Sequence, residues 1–296
     1  MRSPNPDGHD MITSSEFVKS ARSFVEEQSQ VFAAKYLRVK DKYEANEYVQ
    51  TVGRLLSALY LTTQSILLLA EHEQVWDLSI LFRSILEGSA RALYLIAAPS
   101  REEAWRRVDE YDNILLKSEM ASLEQSINRM VELTKEEDSV DAKTSKISKD
   151  IMQEWKTGEG ESRQVREVVR KWNFWNVSRA LRKECRSWAM SADTWELRYA
   201  TANVLVHKSS VGNKHLMESY RSIRDGENFP LFSAATIIEG CVVLQFDRTF
   251  LFSRRLDLDS AAIIDVKSRH EDFFEMLSSI RAESESVLEK QVEEGL

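Results

Sequence analysis

The chain has 296 residues, 43% of them hydrophobic and 30% charged, with a formal net charge of −8. That length allows a substantial core, built as one large domain or two packed halves, and the balance is that of an ordinary globular protein. Only 9 glycines and 4 prolines are present; sheet proteins need many turn residues, so the shortage argues against a turn-rich β architecture and predicts an all-α multi-helix bundle of long antiparallel helices.

Residues 1–13 carry Pro4, Pro6 and Gly8 and are expected to form a disordered tail. No charged-then-apolar leader opens the chain, and a cytoplasmic protein is expected. Helical periodicity begins near Ser14 and runs, with Phe17, Phe24, Val31 and Phe32 on one side, to about Lys40. A second helix is predicted over residues 43–71 and a third over 76–98, stopping at Pro99. Ser100 and Glu103 then form a capping box for a helix that carries Trp105, Val108, Tyr111 and Leu115 to around Val131.

Residues 134–162 turn polar and lose their periodicity. They mark a linker between an N-terminal half (14–133) and a C-terminal half (163–296), or an exposed insertion in a single domain 14–290. Beyond them, helices are predicted over 177–190, from an Asp193–Glu196 cap to about Ser209, from Pro230 to Phe252, and over 259–291. Three apolar stretches, 55–70, 78–98 and 231–252, contain polar or charged residues such as Thr62, Glu87 and Arg248. A bilayer span needs roughly 20 mostly apolar residues, so all three read as core helices and no membrane association is expected.

The third helix carries two faces. Leu78, Leu81, Phe82, Ile85, Leu86, Ser89, Ala92, Leu93 and Ile96 share one broad side. Arg83, Glu87 and Arg91 lie opposite, four residues apart, beside Trp76, Ile80 and Tyr94. They form either a solvent ladder of ion pairs or a second buried face holding a polar cluster. Glu239, mid-helix among apolar residues, needs a partner; Arg83, Arg91 or His207 would serve. His207 follows Asn203 by one turn on the same face, suited either to the helix dipole or to acid–base work.

The stretch 162–188 is locally basic, with Arg163, Arg166, Arg170, Lys171, Arg179, Arg182, Lys183 and Arg186 interleaved with Trp172, Phe174, Trp175 and Trp188. Cation plus aromatic suits phosphate contact and base stacking; a solvated helix face over core aromatics explains it equally. Cys185 and Cys241 lie far apart and read as small core residues of a reducing compartment. No histidine has a carboxylate three residues before it, and Gly-rich phosphate loops and Gly-x-Ser-x-Gly elbows are absent. Accordingly, no metal and no cofactor is expected.

Several segments together resemble a bacterial family of all-helical proteins of unknown function. They are Leu81-Phe82-Arg83-Ser84-Ile85-Leu86-Glu87, Arg107 with Tyr111 after Pro99, Trp175-Asn176-Val177-Ser178, and Tyr199 followed by Asn203 and Val206-His207-Lys208-Ser209. The resemblance spans about 75–210 and implies a bundle in which the Arg–Glu helix and the Tyr…His helix face one another. It implies no activity. More loosely, the chain is similar to the HEPN superfamily, whose ribonucleases carry an Arg, four to six residues and a His in a site completed across a dimer. Here eight residues separate Arg198 from His207, a departure that puts catalysis in doubt.

Three readings follow. An RNA-binding or metal-independent RNA-cleaving protein would use His207, Asn203 and Arg198 at the phosphate and the basic stretch along the strand. A non-catalytic sensor would line a pocket with Arg83, Glu87, Tyr111, Glu239 and His207. A structural oligomer would pair all of these groups internally. A homodimer is the expected assembly.

Overall fold

The computed structural model describes residues 14–43, 46–72, 74–115, 118–119, 163–206, 214 and 229–293. Its elements are α1 (Ser14–Leu37), α2 (Lys40–Tyr43), α3 (Glu47–Glu71), α4 (Val75–Ile96), α5 (Arg101–Asp109), α6 (Arg163–Lys171), α7 (Phe174–Glu184), α8 (Arg186–Val206), α9 (Phe229–Arg255), α10 (Ala261–Arg269) and α11 (Glu271–Glu293). No strand occurs among the described residues, and the protein is an all-α multi-helix bundle. The tail 1–13, the polar stretch 134–162 and the loop at 225–228 lie outside the described residues.

Helix α4 is central because it is apolar around most of its circumference. It packs against α3, α7, α8 and α9. Leu78, Ile85, Leu86, Ala92 and Leu93 are fully buried, each contributing roughly 1–3 kcal/mol of hydrophobic stabilisation according to its size. Two glycines permit the closest approaches. A Cβ at Gly88 would stand 2.6 Å from Leu59 Cδ2 of α3, and one at Gly240 would stand 2.5 Å from Phe82 Cζ. Around this centre, α1 packs on α3, α9, α10 and α11, and its Phe17 and Phe24 meet Phe273 at ring distances of 5.2 and 6.1 Å. Residues from Phe17 to Ile280 belong to one contiguous buried core.

Helix starts follow local chemistry. The Asn46 side chain accepts from Val49 N at α3, Ser100 Oγ from Glu103 N at α5, and Asn173 Oδ1 from Asn176 N at α7. Pro230 occupies the first turn of α9, where its missing N–H costs nothing. Helix α5 does not simply continue: it passes into a π-helical segment, Glu110–Leu115.

Four expectations need correction. The second helix starts at Glu47, with Tyr43 in the separate short α2. The helix predicted over 177–190 is two helices broken at Cys185, whose φ of −127° and ψ of 105° are extended. Asp193 starts no helix; it lies inside α8 because Arg182 of α7 binds both it and Glu196, at 2.5 and 2.9 Å. The last helix is divided at His270, whose ring is held 2.7 Å from Glu27 and packs on Phe24. Finally, α3 buries one stripe only: Leu59, Ile66 and Leu67 are inside, while Leu61 and Leu68 face out. It is long and apolar enough to cross a membrane by length and composition.

Candidate functional site

Of the polar groups picked out by sequence, Glu87, Arg91, Arg198 and Glu239 fall into two separate ion-pair groups. On α4, Glu87 and Arg91 pair at 2.9 Å, and Arg91 reaches Glu119 at 3.2 Å. Glu239 of α9 pairs instead with Arg198 of α8 at 3.0 Å and Arg281 of α11 at 2.6 Å. Of the partners expected for it, Arg83 and Arg91 are engaged elsewhere and His207 lies outside the described residues; α8 and α11 bring their own arginines to that face. Arg83 lies 5.6 Å over the Tyr199 ring, and its buried Nε has no acceptor among the described residues. This contact makes the Arg–Glu helix and the Tyr…His helix face one another. Tyr111 stands apart, 5.4 Å from Trp172, with its hydroxyl pKa raised by burial.

His207 lies outside the described residues, and Asn203 is half-buried. Arg198, the third member of the expected catalytic group, also donates to Thr236 O and stacks 5.2 Å from the Trp195 ring. In the basic stretch, Lys171 is tied to Glu110 at 2.6 Å and Arg182 to its two acids. Arg166, Arg170, Arg179, Lys183 and Arg186 are exposed, whereas the side chain of Arg163 lies outside the described residues. Trp172, Phe174 and Trp188 are core residues; Trp175, 46% exposed, is the interleaved aromatic that offers a face to solvent.

Arg107 shows how this fold satisfies a buried charge. It is 2% exposed, with Nε on Glu103 at 2.7 Å, Nη2 on Glu184 at 2.8 Å, Nη1 on the Tyr94 carbonyl and its plane 3.7 Å from the Tyr94 ring. Burial pushes the Glu103 carboxyl up, but hydrogen bonds from Arg106 and Arg107 outweigh it and hold that carboxyl below its ordinary value. Every edge of this guanidinium is used.

Sequence reasoning missed the second buried arginine. Arg248 of α9 is 1% exposed, and among the described residues it donates one hydrogen bond, from Nη1 to Ser89 Oγ. It forms no carboxylate ion pair among the described residues. The acid that acts on it through space is its chain neighbour Asp247, whose own pKa is raised by burial and which bonds to Ser187. A guanidinium carries five N–H donors, and the described residues supply one hydrogen-bond acceptor to this one.

Arg248 lines a cavity of about 650 Å³ between α1, α3 and α9. Gln245, Thr249, Val49 and Phe252 form its buried floor, with Phe32, Leu56 and Tyr60 as half-buried walls and Ser57 and Leu61 at the exposed rim. Gln245 donates to Val25 O, and its own Oε1 accepts nothing from the described residues. A Cβ placed at Gly53, also in the lining, would meet nothing within 4 Å. A second cavity of about 600 Å³ lies between α3 and α5, with Arg54, Asp112 and Tyr111 in its lining.

The architecture defines a helical-bundle protein with an interhelical cavity. More particularly, the chain belongs to a family of unknown function, DUF5677, whose model matches residues 49–222. No curated protein and no solved structure matches the chain. The match takes in α3, α4, α5, α6, α7 and α8 but neither α1 nor α9, so one wall of the cavity lies inside the matched region and two lie beyond it.

Proposed function

We propose that the protein is a non-catalytic binding module that takes a small, apolar-bodied molecule into the cavity between α1, α3 and α9. One observation carries this reading: an interhelical cavity of about 650 Å³ whose buried floor includes an arginine the fold leaves short of partners. Cavities with mostly apolar walls and few polar groups are the usual form of small-molecule sites. Of the groups first expected to perform chemistry, Arg198 is held by Glu239, which suits a bundle that keeps its shape.

The test is binding of N-phenyl-1-naphthylamine, a neutral dye that fluoresces in apolar sites. Wild-type protein should enhance its emission and Gly53→Leu should not, because that side chain grows into the cavity. Equal emission from both would remove the reading.

Exposed Trp175 favours a second reading. With Arg166, Arg170 and Arg179 also exposed on the same two helices, α6 and α7, the region suits a single-stranded anionic polymer such as RNA. Retardation of labelled RNA on a gel that is lost in Trp175→Ala would support it; unretarded RNA would eliminate it. Cleavage by His207, Asn203 and Arg198 additionally requires Arg198 to leave Glu239. It would show as EDTA-resistant RNA breakdown abolished in His207→Ala.

A further inference from the structure

Both charged residues that line the cavity are basic: Arg54 and Arg248. Their situations differ. Arg54 sits at the exposed mouth, where Asp112 at 3.0 Å and Thr51 Oγ1 at 3.0 Å already occupy it. Arg248 lies on the floor with one hydroxyl for company. Burial lowers its pKa to about 10, which leaves it protonated at neutral pH. A cation removed from water with so few acceptors is costly, and an anion entering the cavity would relieve that cost.

We infer that the cavity binds a free monocarboxylate with an apolar acyl or aryl body, its head on the Arg248 guanidinium and its body against Phe32, Leu56 and Phe252. This rests on the reading of the cavity as a binding site. Guanidinium and carboxylate match in geometry, and a charge-assisted pair is about twice as strong as a neutral hydrogen bond. One cation calls for one negative charge. A phosphomonoester dianion would bring a second charge that the cavity floor does not neutralise, and an amine would meet Arg248 as a like charge. The body of the ligand is set by the walls, where Phe32, Val49, Leu56 and Phe252 supply apolar surface. The rim at Ser57 and Leu61 leaves the far end of the molecule open to water.

Titration calorimetry separates this inference from the reading beneath it, using decanoate and decanol as probes on the full chain. Wild-type protein should bind decanoate about tenfold or more tightly than decanol, since their bodies are alike and their heads differ by one charge. Arg248→Met, which keeps the volume and removes the charge, should bind both alike. Gly53→Leu should bind neither. If decanol matches decanoate in the wild type, or if the preference survives in Arg248→Met, the carboxylate assignment is overturned while the cavity reading stands. If neither probe binds the wild type, both fall. Thermal denaturation of each variant confirms that it is folded, so that loss of binding is read at the site.

Discussion

Two arginines in this molecule are equally hidden from water and treated in opposite ways. Arg107, 2% exposed, is enclosed by two carboxylates, a carbonyl and a tyrosine face. Arg248, 1% exposed, has one hydroxyl and a cavity. Burial alone therefore says little about a charge; what distinguishes a brace from a receptor is how many of its donors the fold has used. Arg107 joins α4, α5 and α7 and has nothing left to offer. Arg248 holds donors in reserve.

The sharpest way to break this comparison is to remove each charge and read stability by urea denaturation. Arg107→Met should destabilise strongly, by about 3–5 kcal/mol, because it takes from Glu184 the cation paired with it and leaves Glu103 with Arg106 alone. Arg248→Met should be neutral or stabilising, by about 1 kcal/mol, because it removes a desolvated charge and strands no carboxylate. Its partner Ser89 still donates to the Ile85 carbonyl. Losses of similar size at both positions would mean that Arg248 is a brace after all.

The same pair predicts a pH effect. Burial depresses the Arg248 pKa from 12.5 to about 10. Between those values the unfolded chain retains a proton that the folded chain has released, so raising the pH through this window favours folding at this residue. Any advantage of Arg248→Met over wild type should therefore shrink above about pH 10, seen in urea midpoints measured on either side of that value. Gly53→Leu should raise the unfolding free energy by about 0.5–1 kcal/mol, the usual gain from replacing a helical glycine, because the added side chain meets open space. The smallest effect belongs to Asp193, 93% exposed: Asp193→Ala should leave the midpoint unmoved, whereas loss of a true helix cap would lower it measurably.

The core was legible because hydrophobic periodicity reports burial directly. Phe17, Phe24, Leu78 and Ile85 are apolar at helical spacing, and all are inside. Helix ends were less so. Asp193 and Glu196 have the chemistry of a cap, but their side chains go to Arg182, 11 and 14 residues earlier in the chain, and no local pattern announces that choice. The site was least legible. In sequence Arg248 is one more charge interrupting an apolar run, and its burial depends on a hydroxyl 159 residues away. Glu239 called visibly for a cation, yet which arginine answered was decided by the packing of α8 and α11. Gly53 gave a signal that could have been used: a glycine inside a helix, with no turn to make and no close neighbour to admit, marks a place where the fold gains nothing from leaving the side chain out.

The π-helical segment Glu110–Leu115 acts as a phase setter. Each residue added to or removed from a helix turns everything after it by about 100°. In the present register Asp112 meets Thr51 and Arg54 of α3, and Leu115 points into the core. A chain one residue shorter here would keep a good helix yet send Asp112 elsewhere, freeing the arginine at the cavity mouth. The length of this segment is therefore a dial: a single-codon deletion, without altering any residue that lines the α1–α3–α9 cavity, would change the charge a ligand meets on its way in.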